Sequence, residues 1–533
     1  MAEDTSATNS SYSSELEKVI EDNRESLLEK SGVLAVEAGY LFSNGWITST
    51  EAIVVKVQRK LPLSEIDPDD IIPRRLGGFR VDVVPADPVQ QLALLNEEDL
   101  TSLGLADVEP AALNLKYKPI PGNPIDRVFE ISKPILCHAS PDAGWPTLSK
   151  FLSGVKDQLT IAMYDFNADY IARDLILAAQ SSGANVDLAL DPKRNTAEKD
   201  IQTRIEGKLK ENYTMTLAAL GNGGLFDSAY HEKVIVRDSS SFWLSSGNFS
   251  VSSQPNIDPF GPHPPSGNIY GLGNRDWHVV VNDAELAKVF ERYIKHDIEA
   301  SSGGAAPSDI EFPDLLIPQD VFSDIVMVTA ETPPPVAPRA LPTPDELPVK
   351  VQPLLTPDNY IGHIQELVKK AEKSLYLQLQ YIHPSNLPED KEFAKLIRLV
   401  SDKTNQAGFD ARIIIGNREA RQWVRIMERE WDFDSSKIRV QLRVHNKGII
   451  VDGKIVVVGS HNWSGDGTLR NRDASLIIHN SQIAQYYQKI FLNDWKFLAA
   501  SDIQEDFTPA IAMAGEPTPP GMVRIPWSDY YDE

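Results

Sequence analysis

The chain has 533 residues, and 52 Lys and Arg against 76 Asp and Glu give a formal net charge of −24. With 42% hydrophobic and 24% charged residues it has the composition of a folded protein, and at roughly 150 residues per domain it has room for several domains. Proteins that coat long nucleic acids usually carry a basic balance, so the charge argues against that class. Cys137 is the only cysteine, which excludes an intrachain disulfide and a multi-cysteine zinc site.

The first part of the chain predicts a tail followed by a small domain. Residues 1–30 form a polar tail and one acidic amphipathic helix, without the basic start and apolar core of a signal peptide. Residues 31–90 alternate Val, Ile and Thr around Asn44-Gly45, which predicts a small N-terminal αβ domain with a β-hairpin. No apolar run reaches the roughly 18 residues of a transmembrane helix. We therefore expect a cytoplasmic protein without a membrane span.

The remainder of the chain is predicted to contain two copies of one unit. Residues 91–132 are a connector, 133–300 a first repeat, 301–345 a Pro-rich linker, 346–505 a second repeat and 506–533 a C-terminal tail. The first repeat has strand, helix and strand in DQLTIAMYDF, ADYIARDLILAAQSSG (closed by Gly183) and ANVDLALD. The second has the same order in KSLYLQLQYI, KEFAKLIRLVSDKTNQAG and FDARIIIG.

Five residue types recur at identical offsets in the two repeats. A histidine is followed by Lys, Asp, Ser and Asn at +2, +7, +15 and +17. The first set is His231, Lys233, Asp238, Ser246 and Asn248, and the second is His445, Lys447, Asp452, Ser460 and Asn462. Both sets end in Asn-Arg-Asp, at 274–276 and 471–473, after 45 and 28 residues from the histidine. We place the 17-residue excess of the first repeat in the loop near 252–272.

This pattern suits chemistry at a phosphate. In HEKVIVRD and HNKGIIVD the His and Lys are two residues apart, so on a strand both point to the same side. Lys supplies fixed positive charge, and the Asn at +17 can donate a hydrogen bond to a phosphate oxygen. One histidine can attack phosphorus while the other protonates the leaving oxygen. Asp276 and Asp473 are candidates for the carboxylate that orients each imidazole.

These residues resemble the phospholipase D superfamily, whose HxKxxxxD motif is present twice. The resemblance covers about 135–300 and 345–500. It implies two αβ repeats, mixed sheets flanked by helices, which form a pseudo-twofold unit with one active site at their junction. It also implies a covalent phosphohistidine and neither a metal nor another cofactor.

The resemblance also assigns roles. His231 would be the nucleophile and His445 the general acid, with Asp473 orienting His231 and Asp276 orienting His445. Asp238 and Asp452 would mainly support the fold, and their presence argues against the tyrosyl-DNA phosphodiesterase branch. One departure is that Ser245 stands before Ser246 where the second repeat has the usual Gly459.

Other residues near the motifs leave alternatives open. The segment from Arg412 to Arg443 contains eight basic and five acidic residues. This mixed charge favours a solvated helix face over a basic surface that binds substrate phosphates. Six aromatic residues beside the motifs could hold an acyl or glycerol group or could pack in the core: Trp243, Phe249, Phe260, Tyr270, Trp277 and Trp463. His278 and His461 are close enough in sequence to line the site.

The motif indicates the reaction class but leaves the substrate open. The leading hypothesis is hydrolysis of a glycerophospholipid to phosphatidate and a free head group, with peripheral contact to a membrane. A metal-independent nuclease is the alternative, in which local Arg and Lys track the backbone and aromatic rings stack on bases. A third hypothesis is an inactive binding module that kept the fold.

Overall fold

The computed structural model describes most of the chain. It covers residues 13–43, 46–58, 66–86, 91, 117–192, 196–221, 224–302, 313–318, 332–416, 420–500, 509–513 and 517–525. The chain divides into two compact units. The first comprises Met1–Asp107, Phe312–Asp324 and Asp502–Tyr530, and the second comprises Val108–Glu311, Ile325–Ser501 and Tyr531–Glu533. Segments from both ends of the chain therefore belong to one unit; the domain boundaries given above stay predictions.

The first unit contains a helix packed on a small sheet. Helix α1 (Ser14–Leu28) begins after Ser13, whose hydroxyl accepts a hydrogen bond from the Leu16 amide. Four strands follow in the order β1-β2-β4-β3. They are β1 (Val33–Ser43), β2 (Trp46–Val57), β3 (Arg75–Leu76) and β4 (Phe79–Pro85). Strands β1 and β2 pair antiparallel as a hairpin requires, although Asn44-Gly45 itself lies outside the described residues.

Apolar residues at alternate positions of these strands explain the packing. Ile53, Val55 and Val57 lie on one face of β2 and form a cluster with Leu16 and Ile20 of α1. A separate three-stranded sheet of the same unit has β13 (Leu315–Pro318) between β23 (Ala510–Ile511) and β24 (Met522–Ile525).

The second unit contains two large mixed sheets. The first has eight strands in the order β14-β6-β12-β11-β10-β7-β8-β9, of which β7, β8 and β9 are parallel neighbours. These are β6 (Ile135–Ser140), β7 (Gln158–Met163), β8 (Asn185–Leu190), β9 (Tyr213–Leu217), β10 (Lys233–Arg237), β11 (Ser241–Ser245), β12 (Asp276–Val281) and β14 (Arg339–Leu341).

The second sheet repeats this arrangement. Its nine strands have the order β22-β18-β17-β16-β19-β20-β21-β15-β5. They are β5 (Phe129–Ile131), β15 (Val349–Leu355), β16 (Ser374–Leu379), β17 (Asp410–Gly416), β18 (Ile438–Gln441), β19 (Lys447–Val451), β20 (Ile455–Gly459), β21 (Ala474–His479) and β22 (Ala499–Ala500). Apart from β22, each strand has a counterpart at the same place in the first sheet. The predicted α/β class with two tandem repeats of mixed sheets is thereby confirmed.

Helices flank both sheets at equivalent places. The first repeat has α2 (Gly144–Leu152), α3 (Asp169–Ser182), α4 (Thr196–Leu209) and α5 (Ala284–Ser301). The second has α6 (Tyr360–Lys369), α7 (Lys391–Asn405), α8 (Ala420–Glu430), a short α9 (Gly465–Leu469) and α10 (Ser481–Phe497). Gly183 ends α3 at φ 76°, as the sequence predicts. No helix in the described parts of the chain is long and apolar enough to cross a lipid bilayer.

The last helix of each repeat begins with the same type of cap. The Asp283 side chain accepts a hydrogen bond from the Leu286 amide, and the Asn480 side chain accepts one from the Ile483 amide. These caps fix α5 and α10 directly after β12 and β21. Both helices contribute to one buried apolar cluster that also contains residues of both large sheets, so the two repeats share a core.

Each repeat receives an edge strand from the segment that precedes the other repeat. Strand β5 precedes the first repeat but pairs with β15 of the second. Strand β14 precedes the second repeat but pairs with β6 of the first. These two strands lie in the segments predicted as connector and linker. We call β5 and β14 the exchanged arms.

Candidate active site at the junction of the repeats

The repeated motif residues lie at one end of each large sheet. Lys233 is the first residue of β10, Ser246 follows β11, and Asp276 begins β12. The second repeat places Lys447, Ser460 and Asp473 at the equivalent ends of β19, β20 and β21. All eight residues predicted to be catalytic are buried.

Each histidine precedes its strand and is held by the opposite repeat. The His231 amide donates to the Arg472 carbonyl at 2.7 Å, and the His445 amide donates to the Arg275 carbonyl at 3.2 Å. The sequence places each histidine inside a strand with its lysine, whereas the strands begin at the lysines. The reason is that the histidine amides bond across the junction. The Asn-Arg-Asp segment of one repeat thus positions the histidine of the other.

The carboxylates also cross the junction. His231 Nδ1 lies 2.7 Å from Asp473 Oδ1, and His445 Nδ1 lies 2.9 Å from Asp276 Oδ1. Each carboxylate accepts a further hydrogen bond from a serine of its own repeat, Ser460 at 2.7 Å and Ser246 at 2.8 Å. A carboxylate on Nδ1 fixes that nitrogen as the donor and leaves Nε2 for the substrate. This is the crosswise pairing that the resemblance implies.

The lysines and asparagines surround the two imidazoles. Lys233 Nζ donates to the His231 carbonyl at 2.9 Å, and Lys447 Nζ donates to the His445 carbonyl at 2.6 Å. Lys447 Nζ also lies 3.0 Å from His445 Nε2. Asn248 and Asn462 follow the serines, and both are buried. Among the described residues, nothing bonds the buried His231 Nε2, which leaves this nitrogen available to a ligand.

The acids at +7 support the fold away from the histidines. Asp238 Oδ1 accepts the Asp157 and Gln158 amides at 2.9 and 3.1 Å. Asp452 Oδ1 accepts the Lys373 and Ser374 amides at 2.7 and 2.9 Å. These bonds tie the turn after β10 to the start of β7 and the turn after β19 to the start of β16.

Comparison with known proteins identifies the family. A family model described as cardiolipin synthase, PLD-like domain, matches residues 148–298 and 364–495, which together make up more than half of the chain. The chain belongs to this family. A comparison with curated protein sequences gives no match.

Solved structures with distant likeness include members of the same superfamily. Phosphatidylserine synthase of Haemophilus influenzae is 12% identical over 69% of this chain and 89% of that chain, with a TM-score of 0.46. Nuc of Salmonella typhimurium, a phospholipase D family member, is 16% identical over 32% of this chain and 95% of that chain, with a TM-score of 0.26. NucT of Helicobacter pylori is 18% identical over 32% of this chain and 97% of that chain, with a TM-score of 0.25.

Two buried arginines lie behind the PLD-like site, and the sequence analysis assigned them no role. Arg275 donates from Nε to Asp494 at 2.7 Å and contacts Asp142. Arg472 donates from Nε to Asp297 at 2.7 Å and from Nη1 to Asp358 at 2.8 Å. Each arginine therefore binds one carboxylate from each repeat, Asp494 and Asp297 being on α10 and α5. The repeated Asn-Arg-Asp sequence could have indicated that these arginines matter, because the arginine is repeated in both copies as well as the aspartate.

Tyr164 is a second residue that the sequence analysis missed. It follows β7, and its ring lies edge-on to the His231 imidazole with centroids 5.0 Å apart. Lys233 Nζ lies 5.0 Å from the same ring centroid, in a cation–π contact. The strand registers Ala162↔Val234 and Gln378↔Gly448 place Gln380 at the equivalent position of the second repeat. The first histidine therefore has an aromatic neighbour at a position where the second repeat has an amide side chain, Gln380.

Ser245, which stands where the second repeat has glycine, is one of three linked differences between the repeats. The first repeat has Ser245, Gly247 and His278 where the second has Gly459, His461 and Ser475. His278 Nδ1 lies 2.6 Å from Ser245 Oγ, and His461 Nδ1 lies 2.7 Å from Ser475 Oγ. A Cβ at Gly459 would lie 2.0 Å from Ser475 Oγ, so the second repeat needs glycine there. Both repeats therefore keep a buried His–Ser pair beside the site, built from different positions.

Electrostatics distinguish the two histidine–carboxylate pairs. Burial, followed by the charges of Lys233 and Lys447, holds the pKa of His231 well below its ordinary value. Burial raises the pKa of Asp473 to about 7, although the lysines oppose it. Burial also acts on Asp276, but the charge and hydrogen bond of His445 outweigh it and lower the pKa of that carboxyl. The first pair thus favours a neutral imidazole, and the second favours an ionised carboxylate facing its histidine.

Packing explains the remaining aromatic candidates except Phe260. Trp243, Phe249, Trp277 and Trp463 are fully buried in the core, Tyr270 is buried, and Phe260 is exposed. Arg412 pairs with Asp410, and Arg439 packs on Trp495, which agrees with a structural role for that segment; Arg418 lies outside the described residues. Within the described residues, no group of three or more His, Cys, Asp or Glu is placed to hold a metal ion.

Proposed function

We propose that the protein is a phosphodiesterase that hydrolyses a glycerophospholipid to phosphatidate and its free head group through a phosphohistidine. The observation that carries this proposal is the pair of buried histidines, each bonded at Nδ1 by a carboxylate of the opposite repeat. Family membership supports the reaction class, since the matching model is described as a PLD-like domain.

The first chemical step uses the two histidines in different roles. His231 Nε2 attacks phosphorus, forming an N–P bond as the bond from phosphorus to the head-group oxygen breaks. His445 in its imidazolium form donates its proton to that leaving oxygen. Lys233, Lys447 and the two motif asparagines bind the phosphate oxygens, where negative charge accumulates.

The second step reverses these proton movements. His445, now neutral, accepts a proton from a water molecule as that water attacks the phosphohistidine. The N–P bond breaks, phosphatidate leaves, and His445 is again protonated for the next cycle. The lowered pKa of the Asp276 carboxyl keeps a negative charge beside His445 in both steps, so the carboxylate continues to hold Nδ1 while Nε2 exchanges the proton.

The lipid substrate is supported by charge and not by the aromatic residues. A net charge of −24 repels a long polyanion, whereas a single phospholipid phosphate can enter a pocket with two lysines. The buried tryptophans named above pack in the core and so lend no support to an acyl-binding role. The family description names cardiolipin synthase, which fits a lipid substrate.

Head-group release from phospholipids in mixed micelles tests the proposal. We expect release by the unmodified protein, none by His231→Ala, and unchanged release by His479→Ala, because His479 is exposed at the far end of β21. Rapid quenching followed by peptide mass spectrometry should find a phosphatidyl group on His231. Lack of release from every common phospholipid would contradict the lipid substrate. If DNA or RNA is cleaved in EDTA, and His231→Ala abolishes the cleavage, the nuclease alternative is correct.

A further inference from the structure

The loop between β11 and β12 differs in size and composition from its counterpart. It runs over the 30 residues from Ser246 to Arg275, before Asp276, whereas the equivalent stretch of the second repeat, before Asp473, has only the 13 residues 460–472, so the 17-residue excess lies here. From Val251 to Asn274 it has one charged residue, Asp258, in a chain of which 24% is charged. We call residues 251–274 the apolar loop.

Large hydrophobic side chains on the apolar loop are unusually exposed. Val251, Phe260 and Leu272 are 56%, 48% and 49% exposed. They account for three of the nine exposed large hydrophobic residues in the described parts of the chain, although the loop is only 24 residues long. Loop 460–473 of the second repeat contributes none. Leu442, 37% exposed, belongs to the same surroundings, because the Arg275 amide donates to the carbonyl of its neighbour Arg443 at 2.7 Å.

The apolar loop is held in place by specific bonds. The Asn274 amide donates to the Ser252 carbonyl at 2.7 Å, which brings the two ends of the loop together. The Phe260 amide donates to Asp258 Oδ1 at 3.1 Å, so the one carboxylate is used within the loop. The Tyr170 hydroxyl binds the Gln254 carbonyl and anchors the loop to α3. The exposed side chains are therefore presented by a defined backbone and do not result from a lack of structure.

We propose that the apolar loop is the surface by which this protein contacts a zwitterionic phospholipid bilayer, with Val251, Phe260 and Leu272 entering the interface beside the active site. The loop begins three residues after Asn248 and ends two residues before Asp276, so both ends of the loop lie next to residues of the candidate active site. The significance of this surface rests on the proposed phospholipase function.

Charge selects the partner. Nucleic acid binding needs Lys or Arg on the contact surface, and the apolar loop has neither. Anionic lipid would be repelled by a chain of charge −24. A zwitterionic bilayer neither requires Lys or Arg on the contact surface nor repels an acidic protein. Burial of the exposed apolar side chains in such a bilayer stabilises the bound state.

Co-sedimentation with phosphatidylcholine vesicles tests the surface without requiring catalysis. The loop variant is Phe260→Asp/Leu272→Asp, and the control is Leu177→Asp, which alters a side chain that is 55% exposed on α3 of the same repeat. We expect the loop variant to lower the partition coefficient about tenfold or more, since two apolar contacts become charges. The control should bind as the unmodified protein does. Adding phosphatidylglycerol to the vesicles should weaken binding by all three proteins.

A conservative change separates surface chemistry from folding. Phe260→Leu should keep vesicle binding, and circular dichroism should show the fold of each variant. Equal binding by the loop variant and the control would overturn the proposal, as would absence of binding by the unmodified protein.

Activity measurements separate this proposal from the proposed function. The loop variant should lose about tenfold more activity on vesicles than on a short-chain phospholipid below its critical micelle concentration, because only vesicles require the interface. If the unmodified protein cleaves neither, the proposed function fails while vesicle binding still decides the role of the loop. If it cleaves both and the loop variant loses activity equally on both, the surface proposal is wrong and the proposed function stands.

Discussion

The two repeats carry the same reacting groups in different surroundings. His231 has Tyr164 at its ring edge and faces a carboxyl, Asp473, whose pKa is raised to about 7. His445 faces Asp276, whose pKa is lowered. The repeated motif supplies chemically equivalent side chains, and their neighbours make them inequivalent. A duplicated site can thus divide nucleophile and acid between two identical residues, because environments that push pKa values apart assign the roles.

The same contrast extends to the residues between His and Lys in the two motifs. Asn446 donates to Gln378 at 3.2 Å, and Gln378 donates to Asp494 at 2.7 Å, so a chain of amides reaches the Arg275 pair. At the equivalent place Glu232 is fully buried, and its carboxyl has no hydrogen-bond partner within the described residues. Burial raises its pKa to about 8 despite the charge of Arg472. The first repeat therefore has a buried carboxyl whose raised pKa favours its neutral form, where the second repeat has an amide.

Removal of each histidine should have the largest effect on activity, and it tests directly whether the two histidines have different roles. His231→Ala should abolish head-group release. His445→Ala should lower kcat about 10²- to 10⁴-fold on a choline or ethanolamine ester, as expected for loss of a general acid. A p-nitrophenyl ester of phosphatidate needs no proton on its leaving group, so His445→Ala should recover most of its rate there while His231→Ala stays inactive. If His231→Ala recovers activity on this ester and His445→Ala does not, His445 is the nucleophile and His231 the general acid.

The two carboxylates should give different pH profiles. Since the Asp473 carboxyl has a pKa of about 7 and is needed ionised to hold His231, kcat/KM should rise as pH increases through about 7. Asp473→Asn should remove this acidic limb and lower the plateau. Asp276→Asn should leave that limb in place and lower the plateau, because His445 loses the carboxylate that holds its Nδ1. Identical profiles for the two variants would refute the electrostatic difference between the repeats.

The buried arginines should differ in their contribution to stability. Arg472→Met leaves the acids Asp297, Asp358 and Glu232 together without a cation. Arg275→Met also removes the cation beside Asp494, but that carboxylate keeps its hydrogen bond from the Gln378 amide. Loss of a buried ion-pair partner costs about 3–5 kcal/mol, and we expect Arg472→Met at the upper end.

Urea unfolding of both arginine variants measures this difference. The control is Arg127→Met, because Arg127 forms an exposed pair with Glu285 and should contribute at most about 1 kcal/mol. Equal losses at the two buried arginines would show that the extra acid at Glu232 does not matter.

The smallest effect concerns a packing difference across the junction. A Cβ at Gly448 would lie 2.2 and 2.4 Å from ring atoms of Trp277, so Gly448→Ala should cost about 1–3 kcal/mol by overpacking. Gly362→Ala on α6 meets open space and should be neutral or slightly stabilising. In a Trp277→Ala background the cost of Gly448→Ala should fall, because only the contact of the new Cβ with Asn446 Nδ2 at 2.6 Å remains. Additive losses in the double variant, measured by thermal unfolding, would place the strain elsewhere.

The sequence predicts the parts of this molecule that rest on local patterns. The strands and helices around the motifs and the Gly183 cap follow from periodicity and spacing, although the strands begin at Lys233 and Lys447 and not at the preceding histidines. The crosswise Asp pairing came from the resemblance, because spacing within one repeat carries no information about the opposite repeat. The excess of the first repeat is indeed in the loop between β11 and β12.

The remainder depends on contacts between distant segments. Arg275 and Asp494 are 219 residues apart, and nothing local marks them as partners. Tyr164 follows an ordinary buried strand, and its contact with His231 arises from sheet order alone. The three-residue arm β5 is too short for a periodic pattern, and β14 lies in Pro-rich sequence, so both were hidden in segments predicted to be connections.

The exchanged arms make the two repeats topologically dependent on each other. Their reciprocal pairing is the arrangement of a domain-swapped dimer, fused here into one polypeptide. A fragment containing residues 133–300 alone would lack β14 and leave the edge of β6 open, and a fragment starting at residue 346 would lack β5 and leave β15 open in the same way. Each half thus needs a strand from outside it to complete its sheet, so the two repeats form an interlocked pair and not two independent modules.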